Sequence, residues 1–312
     1  MKTQILNQLI RTAMVTIALF ISAQLESLRA VTIVVTNTSD SGAGSLRQAI
    51  LSANLSVNVP DTITFSIAGA GPHVISPLTP LPSVTAPVFI DGYSQTGASA
   101  NSLAGGDNAV LKIVVLESLV IDTTNSTVRG LVIRQIQVGS APGPKGGNVV
   151  EGCFIGLDAS GTNSLASPGF GVFVQTPGNR IGGTTPAARN VISGKGATGI
   201  EIFEAFATNN VVQGNYIGTD RNGTKAIGNT DRALVVNMNA SSNTIGGTVT
   251  GAGNVISGNL DRGITLDGAN NLVQGNFIGT DITGSQPLGN ARSGVEIGGP
   301  GNTVGGTQQR RC

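Results

Sequence analysis

Asn271-Leu272-Val273-Gln274-Gly275-Asn276-Phe277-Ile278-Gly279, followed past a loop by Gly294-Val295-Glu296-Ile297, holds one whole unit of a pattern that organises this 312-residue chain. Its opening motif, N-x-[VI]-x-G, recurs at Asn148, Asn179, Asn210, Asn243, Asn271 and Asn302, at intervals of 31, 31, 33, 28 and 31 residues. A period that holds while the residues between drift marks equivalent units stacked side by side, each gaining a core only from its neighbours. The second segment of the unit returns as Cys153-Phe154-Ile155-Gly156, Asn190-Val191-Ile192-Ser193, Asn215-Tyr216-Ile217-Gly218 and Asn254-Val255-Ile256-Ser257. The third returns as Gly171-Val172-Phe173-Val174, Gly199-Ile200-Glu201-Ile202, Ala233-Leu234-Val235-Val236 and Gly263-Ile264-Thr265-Leu266. Runs this short, β-branched, alternating and bounded by Gly or Asn, suit strands with one buried face and are too short for helices. The predicted fold is all-β: a single-stranded parallel β-helix of about 31 residues per turn, triangular, with three strands in each turn.

The asparagines then acquire a physical task. Each sits at a corner, tolerates a left-handed backbone, and lies about 4.8 Å from its counterpart in the next turn, one strand spacing away. At that separation side-chain amides hydrogen-bond in a ladder, so Asn148, Asn179, Asn210, Asn243, Asn271 and Asn302 are assigned a structural role. Cys153 occupies an asparagine slot of the second series and reads as a small buried stand-in. Alternate turns carry G-[TL]-D-x-x-G-[TS] loops, whose Asp158, Asp220 and Asp281 read as Asx-turn residues. Like loops recur two turns apart, roughly 9.6 Å, so one calcium ion cannot bridge their carboxylates. Phe154, Tyr216 and Phe277 recur in the same turns, on the outward phase of the second segment. Packing beneath the long loops is the expected use of these rings, and a glycan-contacting stripe the alternative.

Composition excludes some partners. Eighteen basic against 17 acidic residues leave no basic footprint for nucleic acid, and two cysteines provide no disulfide framework. Near the N-terminus Lys2 and Arg11 precede an apolar run at residues 13–21, with small residues at Ser22-Ala23 and Ala30. Such a run is too short for a permanent membrane span and matches the central region of a secretory signal. Residues 1–30 are therefore expected to be a signal peptide, cleaved after Ala23 or Ala30, and the mature chain secreted to the cell surface or medium. Residues 31–109 form a cap and first turns: Leu46, Ala49, Ile50 and Ala53 share one helical face behind a Ser45 N-cap, and such a helix covers an otherwise open strand edge. Residues 110–307 are the repeats. Residues 308–312, Gln308-Gln309-Arg310-Arg311-Cys312, leave the pattern just before another asparagine is due; the expectation is a truncated solenoid, able to self-associate through open C-terminal strand edges.

Gly44-Ser45-Leu46-Arg47-Gln48-Ala49-Ile50, with Ala53-Asn54, resembles the C-S-L-R-E-A-I-x-x-A-N segment that opens many secreted bacterial repeat proteins, with Gly44 and Gln48 in place of Cys and Glu. The repeats, for example Asn254-Val255-Ile256-Ser257-Gly258-Asn259, resemble the right-handed parallel β-helix repeats that accompany that segment. Together the two resemblances cover residues 31–307. They imply a right-handed, pectate-lyase-like fold in an extracellular setting.

Function is less legible. The same fold houses pectate lyases and polygalacturonases, but of the polygalacturonase motifs N-T-D, D-D, G-H-G and R-I-K only Asn229-Thr230-Asp231 is present. His73, the only histidine, precedes the regular repeats and reads as an ordinary surface residue. Asp231-Arg232, Asp261-Arg262 and Arg292 stand just before the third strand in successive turns, making Asp231 and Asp261 the candidate metal ligands, for Ca2+. Along that strand the outward row reads Phe173, Glu201, Val235, Thr265, Glu296, with Gln175, Phe203, Asn237, Asp267, Gly298 two residues on. Asp267 and Glu296, about 8 Å apart by strand geometry, are at the spacing of an inverting glycosidase pair; with Arg262 they are the candidate catalytic residues. Alternating Asp and Arg on one face more commonly form a solvated charge ladder. The function expected is a non-catalytic extracellular scaffold, adhesin-like or binding a polysaccharide or cell-surface glycan. The alternative is a calcium-dependent polysaccharide lyase or glycoside hydrolase acting on acidic polysaccharide.

Overall fold

The computed structural model describes residues 14, 30–56, 59–237 and 239–305. Apart from Met14 and Ala30, the expected signal peptide lies outside these residues, as does the tail at 308–312. Within them the repeat unfolds into strands of a few residues, and every strand pairs in parallel with its counterpart in the neighbouring repeat. The first segment builds a ten-stranded sheet in the order Thr32–Val35, Asp61–Phe65, Val88–Asp91, Thr127–Arg129, Val149–Glu151, Arg180–Gly182, Val211–Gln213, Thr244–Gly246, Leu272–Gln274, Thr303–Val304.

The second and third segments belong to a single thirteen-stranded sheet. Leu131–Val138 is one long strand; its first half pairs with Phe154–Ile155 and its second half with Val172–Val174. Two arms diverge from it. One continues through Val191–Ile192, Tyr216–Ile217, Val255–Ile256 and Phe277–Ile278, the other through Ile200–Ile202, Leu234–Val236, Ile264–Leu266 and Val295–Ile297. Three strands per repeat thus form two sheets and not three, because the corner between the second and third segments is straight in Leu131–Val138. Sheet order and in-register pairing of this kind are compatible with a parallel β-helix.

Strand alternation decides what is inside. Ile181, Val212, Ile245 and Val273 from the first sheet meet Ile192, Ile217 and Ile256 and the pairs Ile200/Ile202, Leu234/Val236 and Ile264/Leu266 in one apolar cluster. Branched side chains pack well on a pleated surface, and each fully buried one contributes roughly 1.5–3 kcal/mol. The α-helix Leu46–Ala53 adds Leu46, Ala49, Ile50 and Ala53 to the same cluster and lies against Thr32–Val35 and Asp61–Phe65. Ser45 caps it, its Oγ accepting from the Gln48 amide at 3.2 Å. On its outer side Arg47 pairs with Asp40 at 2.8 Å and donates to the Thr79 and Pro80 carbonyls.

His73 departs from its expected surface position. It begins the strand His73–Ile75, which pairs with Ile113–Ile121, and its ring is buried with Nε2 3.3 Å from Gln95 Nε2. The alternation of that strand turns His73 and Ile75 inward and leaves Val74 outside.

Candidate functional site

Three asparagine ladders hold the corners that present the outer faces. In the first, each Oδ1 accepts from both the backbone N–H and Nδ2 of the preceding asparagine: Asn148 to Asn179 at 2.9 and 3.1 Å, Asn179 to Asn210 at 2.8 and 2.9 Å, Asn210 to Asn243 at 2.9 and 3.0 Å. Asn243 continues to Asn271, and Asn271 to the half-exposed Asn302. The second starts from the Cys153 N–H, which donates to Asn190, and runs through Asn215 and Asn254 to Asn276. Cys153 Sγ sits in this column with no exposure, and burial pushes its thiol up to about 12.

The third ladder was not anticipated. Lys195 N–H donates to Asn229, Asn229 to Asn259 and Asn259 to Asn290. Asn229, Asn259 and Asn290 each follow a glycine, four residues before Ala233, Gly263 and Gly294; that spacing is the signal that would have found them. Lys195 heads the column. Its fully buried Nζ donates to Arg134 O at 2.7 Å, Ser167 Oγ at 2.6 Å and Pro168 O at 3.1 Å, linking back to two earlier turns. Burial, with Arg134 close by, lowers its pKa to about 8.

The aspartates of the long loops are consumed locally. Asp158 accepts from Ser160 and Asn163, Asp220 from the Thr224 and Lys225 amides, and Asp281 from Thr283 and the Gln286 amide. For Asp158 burial opposes ionisation, yet these donors outweigh it and its pKa is lowered. Beneath the loops Phe154 and Tyr216 are buried in a second apolar cluster outside the main core, with Leu111, Val132, Leu157, Val191 and Val255; Phe277 is partly buried against it. The rings therefore pack beneath the loops, and two of them, Tyr216 and Phe277, also line a cavity there. Residues 99–110, closed by the Ser99–Val110 bridge, fold over this cluster as a strap. Arg189 donates to the strap carbonyls of Leu103, Ala104 and Gly106, Arg221 to those of Asp107 and Ala109, and Tyr216 Oη accepts from Gly106 N–H at 3.0 Å.

The third strand series carries the groups singled out from sequence. Register places Phe173 beside Glu201, Glu201 beside Val235, Val235 beside Thr265 and Thr265 beside Glu296. Asp231, Arg232, Asp261, Arg262, Arg292 and Glu296 come together at one edge of this face. Asp261 is approached by Arg262 at 3.0 Å, Arg292 at 3.2 Å and Arg232 at 4.0 Å; Arg232 stands equally far from Asp231. Arg262 also grips Glu296, which keeps its guanidinium protonated more firmly than usual. A guanidinium thus stands between Asp231 and Asp261, and Glu296 is engaged by a cation. Asp267 follows the last paired residue, Leu266, with its carboxylate beside Gly298, and lies outside these ion pairs. Among the described residues no three His, Cys, Asp or Glu side chains are gathered to hold a metal ion.

At the other edge lies an arrangement that sequence reasoning did not assemble. Phe173 stacks on Phe170, centroids 5.1 Å apart at 24°, and meets Phe203 at 5.8 Å and 31°. All three are only half-buried, and Phe206 beyond them is exposed. Amides and carboxyls border the rings. Gln137 donates to Gln175 Oε1 at 3.3 Å and Asn237 to Glu201 Oε1 at 3.0 Å. Burial among these neighbours raises the Glu201 pKa, against the hydrogen bond from Asn237. The outward rows held Phe173 and Phe203 on adjacent turns; Phe170, three residues before Phe173 in the same turn, completes the cluster.

Comparison of the chain with protein-family models and with curated proteins finds no match. Among the described residues no helix is long and apolar enough to cross a membrane.

Proposed function

We propose that this protein is a secreted, right-handed parallel β-helix scaffold, displayed at or beyond the cell surface, that binds glycan chains without transforming them. The observation that carries the reading is the half-exposed platform of Phe170, Phe173 and Phe203 bordered by the Gln137/Gln175 and Asn237/Glu201 amide and carboxyl groups. The C–H face of a sugar ring packs against the negative face of an aromatic ring. Paired amides and carboxyls beside it provide the donors and acceptors that fix hydroxyl groups. The capped first turns, the N-terminal apolar run and the resemblance of Gly44–Ile50 to the opening segment of secreted repeat proteins support the extracellular setting. The candidate acids support the non-catalytic half of the reading, because guanidinium groups flank each of them: Arg232 lies 4.0 Å from Asp231, Arg262 3.0 Å from Asp261, and Arg262 also pairs with Glu296.

A glycan array followed by titration of the best ligand tests this. Phe173→Ala with Phe203→Ala should weaken binding at least tenfold while the circular dichroism of the sheets persists. Absence of any retained glycan, or unchanged affinity in the double variant, refutes the reading. Release of reducing ends from a polyuronide would replace it with the lyase or hydrolase alternative.

A further inference from the structure

A cavity of about 500 Å³ lies on another face of the molecule, between the strap and the loop at residues 247–254, within the size range of small-molecule sites. Tyr216, Val255, Phe277 and Ile282 supply apolar walls, Thr248 and Thr250 exposed hydroxyls, and Ala104-Gly105 of the strap the rim. Among the described residues, Arg189 is the only charged one lining it. Its guanidinium is buried, lies 4.5 Å above the Tyr216 ring and is held by strap carbonyls, while Nε has no hydrogen-bond partner. Asp107 of the strap lies near Arg189 but pairs with Arg221 at 3.6 Å, and a buried cation without a salt bridge next to an open space favours an anion there. Aromatic and aliphatic walls around the same space favour a flat apolar body.

We propose that this cavity binds a small aromatic carboxylate, its ring between Tyr216, Phe277 and Ile282 and its carboxylate toward the Arg189 guanidinium and the Thr248 and Thr250 hydroxyls. The site is separate from the Phe173 platform and stands or falls independently of glycan binding. Calorimetric titration with 4-hydroxycinnamate, and with its neutral amide as control, reads it directly. The acid should bind saturably at one site and at least tenfold more tightly than the amide. Arg189→Gln should erase that preference. Arg189 also anchors the strap, so a second variant leaves it in place: in Gly105→Leu the new Cβ stands 3.4 Å from Ile282 Cδ1 and the side chain fills the mouth. This variant should lose binding with its melting temperature held. The proposal is overturned if the wild-type chain shows no saturable binding, if acid and amide bind alike, or if Gly105→Leu binds as the wild type does.

Discussion

Replacing Asn243 by Leu removes a side chain of similar size but opposite chemistry from the middle of the first ladder. Asn243 Oδ1 accepts from the Asn210 backbone N–H and Nδ2 at 2.9 and 3.0 Å, and its Nδ2 donates to Ala207 O and Asn271 Oδ1 at 3.0 and 3.1 Å. All of these groups are buried, so water cannot replace the lost partners without opening a corner. Each orphaned buried group costs roughly 1–3 kcal/mol. Some carbonyls and amides keep a second partner, and a total of about 3–5 kcal/mol is expected for Asn243→Leu. The same change at the half-exposed Asn302 frees the Asn271 donors and the Gly268 and Gly299 carbonyls, part-exposed groups that water can serve, and should cost about 1 kcal/mol. Urea unfolding followed by circular dichroism compares the two variants, with amide exchange checking whether loss is confined to turns around Asn243. Equal destabilisation at Asn243 and Asn302, or a loss under about 1 kcal/mol at Asn243, would refute the view that ladder bonds are worth their desolvation.

Lys195 should make stability pH-dependent in an unusual direction. Because its pKa falls from 10.5 to about 8 on folding, the unfolded chain carries the extra proton between these values, and stability contributed by this group rises across that window. Relative to Lys195→Met, the wild-type chain should gain on the order of 3 kcal/mol from pH 8 to pH 10.5, measured by urea unfolding at each pH; a flat difference contradicts the assignment. Asp261→Ala leaves Arg232, Arg262 and Arg292 facing one another and should lower stability by about 1 kcal/mol at low salt, a loss that added salt reduces by screening. Calcium should leave the melting temperature of the wild-type chain unchanged, since an ion binding only the folded state would raise it. In a Cys312→Ser background, Cys153, its thiol raised to about 12, should resist iodoacetamide until urea unfolds the stack.

How much of this was legible depended on whether a feature repeats. The N-x-[VI]-x-G asparagines declare a corner because the backbone there bends the same way in every turn, and the strand segments follow from alternation that one buried face requires. The Asn229, Asn259 and Asn290 column was missed because its signal is only a preceding glycine and a fixed four-residue step to the third strand, with variable residues between. Lys195 was invisible for a related reason: a lysine in an asparagine column looks like surface until its ammonium is seen on three oxygen acceptors. The charge cluster was placed correctly along the chain, but spacing alone could not tell facing carboxylates from an alternation with guanidiniums, which side-chain length decides. His73 was misjudged because no repeat surrounds it to fix its phase.

The strap changes how such a molecule comes apart. Stacked units that touch only their immediate neighbours can fray from either end, unfolding unit by unit. Residues 106–109, however, are bonded to Tyr216 and Arg221 across 110 to 114 positions of chain. These bonds tie the first turns directly to the middle ones, so the turns between cannot melt one at a time while the tie holds. Such long-range closure slows the search for the folded state; in return, the turns between the strap and Arg221 are locked into one cooperative block, and a single cut within residues 99–110 should be enough to restore piecemeal melting.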